Sequence, residues 1–259
     1  MFVFLENHLH KNIVLSIKNN YEKTLQISSS LEEEREKLLS LNKQLIETED
    51  VTIYALAYQA EMRDSTTGHH ITRTSKYVQL LTQDLINNKK YKEYISVEYL
   101  TEIVKSAPLH DIGKVAIPDK ILNKKGVLTK DEFIIMQKHC EFGAGIIKRA
   151  MQKLNFRSFL QIAEQLTLGH HEKWDGTGYP RGLKKDEIPL SARIMAVADV
   201  YDALRSERPY KKAISHKKAY EILIKDSGKH FDPDIINSFV NVAEQFEKVS
   251  IEFADNAHG

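Results

Sequence analysis

Apolar residues spaced by three and four positions recur from Val51 to the end of the chain, and this spacing limits what the chain can fold into. It is clear in VTIYALAYQAEM, TSKYVQLLTQDL and ARIMAVADVYDAL, each of which can form a helix with one apolar face. Alternating patterns of the kind that form strands are nearly absent, and Gly and Pro concentrate in the joints between these segments. We therefore predict an all-α fold, a helical bundle whose polar side chains point inward from several helices.

Composition narrows the class of protein. Hydrophobic residues make up 42% of the 259 residues and charged residues 28%, which is ordinary for a globular protein. The formal net charge of +1 gives no basic field that would favour duplex nucleic acid. Cys140 is the only cysteine, so neither an intramolecular disulfide nor a cysteine-based zinc site is expected. A single cysteine suits a reducing cytoplasm, which we expect as the location. Charged residues interrupt the apolar opening segment, so we expect no membrane span.

Residues 1–50 contain neither Pro nor Gly, and we predict them as an N-terminal helical segment that precedes a larger domain over residues 51–259. Leu31, Leu38 and Leu45 are spaced by seven, as in the seam of a coiled coil. This stripe favours a short parallel coiled coil and hence a homodimer. A single amphipathic helix that packs on its own domain explains the spacing equally well.

Histidines and aspartates are scattered over about half of the chain, in the phrases LHDIGK, MQKHCEFG, LGHHEKWDGTGYP and RIMAVADVYDA. Imidazole and carboxylate are ligands that divalent cations take, and a site that needs about six of them usually holds two ions. His110 and Asp111 are adjacent and would project about 100° apart on a helix, so their convergence on one ion suits a helix end. A carboxylate can bridge two cations, which makes Asp111 the best candidate for a bridging ligand. These features indicate a metal-dependent hydrolase.

The phrases HDIGK, HHEKWDGTGYP and ADVYDAL, in this order, resemble the HD-GYP group of the HD phosphohydrolase superfamily over roughly residues 51 to 245. The resemblance implies that residues 51–259 form an HD-type helical bundle with a binuclear metal centre. It further implies hydrolysis of cyclic di-GMP to pGpG, with GMP as a further product, and GGDEF-type signalling proteins as candidate partners. Mixed histidine and carboxylate ligation suits iron or manganese.

The resemblance also assigns roles residue by residue. The ligands of the two ions are, for one, His70, His110, Asp111 and Asp199, and for the other, Asp111, His139, His170 and His171. Lys114 matches the family position that reaches toward the scissile phosphate, so Lys114 and Asp111 are the predicted catalytic residues. The positions that contact the dinucleotide are matched by Tyr179, Arg208 and Lys211. Cys140 follows His139 and is expected to point elsewhere as an inert buried thiol.

One position departs from part of the family. Some members carry a glutamate four residues before the first metal histidine, where it helps to hold a third ion, and this chain has Thr66 there. A hydroxyl is a poor replacement for a carboxylate at a cationic site, so two metal ions are expected, with Asp64 near enough in sequence to reach in.

Two other functions stay open. The domain can be a non-catalytic receptor for cyclic di-GMP or for a protein partner, but the complete ligand set and Lys114 weigh against this. It can also be a generic HD nucleotidase that acts on a mononucleotide. Such an enzyme would not need the GYP-bearing loop.

Overall fold

The computed structural model describes residues 2–63, 69–87, 90–92, 94–156, 158–207 and 212–254, with the backbone alone for residues 2–7. The α-helices within these ranges are α1 (Phe2–Glu61), α2 (His69–Ile86), α3 (Val97–Ser106), α4 (Asp119–Leu122), α5 (Lys130–Gln137), α6 (His139–Met151), α7 (Leu160–Gly169), α8 (Leu190–Arg205), α9 (His216–Lys225) and α10 (Pro233–Glu252). Short 3-10 helices cover Ala107–Leu109, Ile112–Ala116 and Lys185–Glu187. No strand occurs in the described ranges, so the predicted all-α fold is confirmed.

The chain divides into two compact units, Met1–Val51 and Thr52–Gly259. The first unit is helical, and the side chains of residues 8–51 are exposed. Among them, Leu38 is 62% exposed and Leu45 is 66% exposed, so the seven-residue stripe faces solvent in the single chain. The coiled coil and the functional domain boundary after residue 50 stay predictions.

None of the described helices combines the length and the apolar character that crossing a lipid bilayer requires.

The main core of the second unit lies where α2, α8 and α10 pack together. The ring of Tyr77 on α2 stacks on Phe246 of α10 with 4.4 Å between centroids, and it meets Tyr201 of α8 edge-on at 5.2 Å. Most residues of α8 from Ser191 to Ala198 are buried, which is typical of a helix surrounded by others. This burial fixes the position of the polar residues that follow on α8.

A second, smaller core joins the C-terminal end of α1 to the helices that carry most of the histidines. Ile53 of α1 belongs to one buried cluster with Leu109, Ile147 of α6 and Ala163 of α7. Because close packing leaves few voids, the cluster holds these elements in a fixed arrangement. The end of α1 is therefore part of the larger unit.

Candidate metal centre

Three histidines each follow the end of a helix and donate the Nδ1 proton to a carbonyl of the preceding turn, where carbonyls lack a partner within the helix. The Nδ1–O distances are 3.0 Å for His110 and Ala107, 2.7 Å for His139 and Met136, and 3.0 Å for His170 and Thr167. A carbonyl can only accept, so Nδ1 carries a proton in all three rings, and in the neutral form of each ring Nε2 holds a lone pair. All three rings are thus oriented as metal ligands usually are.

His70 has the same orientation but a different anchor. Its Nδ1 lies 2.8 Å from Asp202 Oδ2, and Arg73 donates to both oxygens of Asp202 at 2.6 and 2.9 Å. Burial raises the pKa of Asp202, but the hydrogen bonds from His70 and Arg73 outweigh it and lower this pKa to about 2. An ionised Asp202 therefore fixes the ring of His70 and leaves Nε2 facing the interior.

The carboxylate of Asp111 lies between two sets of imidazoles. Its Oδ2 is 3.3 Å from His110 Nε2 and 2.7 Å from Lys114 Nζ. Its Oδ1 is 3.2 Å from His139 Nε2 and 3.8 Å from His170 Nε2. Burial raises the pKa of Asp111, but Lys114 and His110 outweigh this and hold it well below its usual range. Since the two oxygens face different sets, the ionised group can contact two cations at once.

Two groups of side chains each place their ligand atoms within 4.8 Å of one another: Glu61, His70, His110 and Asp111 in the first, and His139, Cys140, His170 and His171 in the second. Asp199 adjoins the first group, since its Oδ1 lies 3.9 Å from His70 Nε2. His69 is exposed, whereas its neighbour His70 is buried. The structure therefore brings together all seven side chains predicted as ligands, and their ligation stays a prediction.

The expectation that Cys140 points away from His139 is wrong. Its Sγ lies 3.4 Å from His139 Nε2, because both residues are buried in the first turn of α6. Burial raises the pKa of the Cys140 thiol. The thiol lies among the side chains of the second group, and its inertness stays a prediction.

The donor set fits divalent cations. Asp111 Oδ1 and His170 Nε2 are buried and make no hydrogen bond within the described residues, which is costly for polar atoms unless another group contacts them. Burial and the neighbouring His110 lower the pKa of His170 to about 4, so its ring is neutral near pH 7. Burial lowers the pKa of His110, but Asp111 outweighs it and raises this pKa to about 9. The side of the centre that contains His110 therefore favours positive charge. The cluster could therefore hold metal ions.

Tyr179 borders the second group. The centroid of its ring is 4.7 Å from that of His171 and 5.9 Å from that of Phe133. Four other residues considered from the sequence lie outside the described residues, and these are Asp64, Thr66, Arg208 and Lys211.

The loop that carries Tyr179 is held by a buried carboxylate. Glu172 is 2% exposed and accepts hydrogen bonds from the backbone N–H groups of Arg181 at 2.7 Å and Leu183 at 3.0 Å. Gly178 packs directly on the backbone of Glu172, where a Cβ atom would overlap it. The glycine before Tyr179 is thus required by this close approach.

Gly113 has a similar role on the other side of the centre. A Cβ atom at this position would overlap the carbonyl oxygen of His139 and the backbone of Gly143. The pair of glycines lets the segment after Asp111 approach α6 closely, and this brings Asp111 within reach of His139.

Sequence reasoning missed Glu61, Arg73 and Asp202. Arg73 lies one helical turn after His70 on α2, and Asp202 lies one turn after Asp199 on α8, so their positions on the same faces were a usable signal. Glu61 gave no such signal, because it lies near the end of the apolar-spaced segment VTIYALAYQAEM and in none of the motifs that contain histidine.

Comparison with known proteins identifies the relatives of this chain. The family model described as HD domain matches residues 38–235. A Vibrio cholerae protein named cyclic di-GMP phosphodiesterase is 49% identical over 210 residues, which are 81% of this chain and 43% of that protein. A second Vibrio cholerae protein, named probable cyclic di-GMP phosphodiesterase, is 43% identical over 253 residues, which are 97% of this chain and 54% of that protein. The chain thus spans about half the length of these relatives.

Among solved structures, a cyclic GMP-AMP specific phosphodiesterase of Vibrio cholerae superposes with a TM-score of 0.54 at 18% identity. The match covers 80% of this chain and 51% of that one. At this identity the likeness establishes the shared helical fold.

Proposed function

We propose that this chain, which belongs to the HD-GYP group of the HD domain family, is a metal-dependent phosphodiesterase that hydrolyses cyclic di-GMP to pGpG, with GMP as a further product. The observation that carries the proposal is the Asp111 carboxylate, whose two oxygens face separate sets of imidazoles. The names of the two relatives that are 49% and 43% identical support the choice of substrate.

The proposed centre holds two divalent ions, iron or manganese. His70, His110 and Asp199 would bind one ion, His139, His170 and His171 would bind the other, and Asp111 would contact both. When bound, such ions supply Lewis-acid polarisation of a phosphoryl group and a nucleophile near neutral pH. The mixed imidazole and carboxylate donors suit these metals.

Lys114 would act on the phosphoryl group of the substrate. Its ammonium is 2.7 Å from Asp111 Oδ2, and its side chain is 14% exposed, so the charge lies at the centre with little water around it. A cation in such a place stabilises the negative charge that develops on phosphoryl oxygens more than it stabilises the bound substrate.

Tyr179 would contact the dinucleotide at the edge of the centre. Its ring lies beside His171, and a phenol offers both a face for a guanine base and a hydroxyl for a phosphate. Arg208 and Lys211, assigned from the sequence, would hold the rest of the ligand through charge-assisted hydrogen bonds.

The test is incubation of the metal-loaded protein with cyclic di-GMP, followed by chromatography of the products. We expect pGpG to appear with manganese or ferrous iron and not with a chelator. Binding without turnover would instead support a receptor, and turnover of GMP without turnover of cyclic di-GMP would support a generic nucleotidase. Turnover of cyclic GMP-AMP, in which adenine replaces one guanine, measures how strongly the protein selects for the guanine base.

We also propose a cytoplasmic homodimer with GGDEF-type signalling proteins as candidate partners. The single cysteine fits a reducing compartment. The exposed stripe of Leu31, Leu38 and Leu45 supports pairing with a second copy, because a seam of leucines spaced by seven is buried in a parallel coiled coil.

Replacing Leu38 and Leu45 with Asp is expected to weaken the dimer at least about tenfold, since it places charges in the seam. Analytical ultracentrifugation of the full chain measures this. The matched control carries Asp at Ser29 and Ser40, which also gain one charge each but are exposed and lie off the stripe. If both variants dimerise as the unchanged chain does, the contact between copies lies elsewhere.

A further inference from the structure

We propose that Glu61, the last residue of α1, is a further metal ligand on the side of the centre that contains His70 and His110. This inference rests on the proposed function, because it requires that the centre binds metal. Glu61 lies nine positions before His70 in the sequence, so it is a different residue from the family glutamate whose place Thr66 takes.

The burial of Glu61 is the first argument. The residue is 2% exposed, and neither carboxylate oxygen makes a hydrogen bond within the described part of the chain. A buried carboxylate without a partner costs several times more free energy than a buried hydroxyl, so such groups are normally paired or bound to metal. A cation beside these two oxygens would offset the cost of burying them.

The groups that face Glu61 are the second argument. Glu61 Oε1 is 3.5 Å from His70 Nε2, which in turn is 3.4 Å from His110 Nε2. Because the Nδ1 atoms of both rings donate to oxygens, each ring in its neutral form directs the lone pair of Nε2 toward the other ring and the carboxylate. A proton on one ring satisfies one of these contacts at most, whereas a divalent cation can satisfy all of them.

The end of α1 holds Glu61 rigidly, which is the third argument. Ile53, Ala57 and Ala60 are buried along one face of the last turns of α1, and Glu61 continues that face. Just beyond the helix, Arg63 donates to the carbonyl oxygens of Val115 and Ile117.

Arg63 also pairs with Asp119, with 2.7 Å between Nη2 and Oδ1. The end of α1 is therefore tied to the segment that follows Asp111. A carboxylate fixed in this way is positioned in advance for a cation, since little side-chain freedom remains to be lost on binding.

The test uses Glu61→Gln in the full chain, with Glu47→Gln at an exposed site on the same helix as the matched control. Metal is removed with a chelator, Mn²⁺ is added back, and bound Mn²⁺ is followed by electron paramagnetic resonance. We expect the affinity for one ion to fall at least about tenfold in Glu61→Gln, by analogy with the loss of supporting groups at metal sites. Glu47→Gln should bind Mn²⁺ like the unchanged chain.

Thermal unfolding separates a ligand from a structural partner. The metal-free Glu61→Gln protein should melt at the same temperature as the unchanged chain or higher, because a neutral amide replaces an unpaired buried carboxylate. Its rise in melting temperature on adding Mn²⁺ should be smaller, since stabilisation by a ligand falls with its affinity. If Glu61 only pairs with a protonated His70, the metal-free variant melts lower and binds Mn²⁺ normally, and the inference fails.

Failure of the proposed activity has a different signature, because the unchanged chain would then bind Mn²⁺ without hydrolysing cyclic di-GMP, and the comparison of Mn²⁺ affinities would stand. If the unchanged chain binds no Mn²⁺ at the centre, both the proposed centre and this inference fail. If Glu61→Gln does not fold, Glu61→Asp replaces it in the test. Its side chain keeps the negative charge but is shorter by one methylene. The inference expects this variant to bind one Mn²⁺ more weakly with an altered resonance spectrum. An unaltered spectrum and affinity would overturn it.

Discussion

Asp111→Ala is expected to lose most of its bound metal and at least about 1,000-fold in turnover of cyclic di-GMP. The carboxylate lies between His110 and His139, with one oxygen toward each. Removing it takes a ligand from both proposed ions and also removes the ionic partner of Lys114, which lies 2.7 Å away. Elemental analysis of the purified protein and an assay with added Mn²⁺ measure the two effects.

Asp131→Ala is the control for this experiment, because Asp131 is exposed in the first turn of α5. It should retain both metal and activity. Two full equivalents of metal in Asp111→Ala together with normal turnover would show that the carboxylate does not bridge. Loss of metal in both variants would point to a general loss of folding instead.

The fold followed from the sequence because helical periodicity depends on local chemistry. Apolar residues three and four positions apart predict buried helix faces, as α2 shows with Tyr77, Val78, Leu81 and Leu85. The helix-end position of His110 also followed, since convergence of the adjacent His110 and Asp111 on one ion suits a helix end. Both inferences used neighbours in the chain.

The missing parts of the centre depend on contacts between distant segments. Glu61 lies near His70 because the end of α1 packs in the second core. No sequence motif around Glu61 indicates this contact. Asp202 lies in the motif RIMAVADVYDA, but its support of His70 depends on a hydrogen bond from Arg73 of another helix. Cys140 was misplaced because two adjacent residues can both be buried where a helix begins. Sequence reasoning thus identified the histidines and aspartates that lie together at the centre and missed the groups around them.

Lys114→Ala is expected to lower kcat about 100-fold with a change in KM below about threefold, while metal content stays normal. The charge of Lys114 lies at Asp111, where negative charge on the phosphoryl oxygens would develop as the reaction proceeds. Its loss therefore affects the transition state more than the bound substrate. Steady-state kinetics with cyclic di-GMP give both parameters, and Lys120→Ala, at an exposed position of α4, is the control.

Arg208→Ala is expected to behave in the opposite way, with KM raised about tenfold and kcat and metal content retained. Arg208 follows Asp199 by nine residues, where a guanidinium can hold a phosphate or a guanine without binding a cation. The two variants together separate binding of the dinucleotide from its cleavage. If Arg208→Ala leaves KM unchanged or strips the metal, the dinucleotide does not lie across the side of the centre next to Tyr179. If Lys114→Ala raises KM as Arg208→Ala does, Lys114 binds the substrate and does not act on the phosphoryl group.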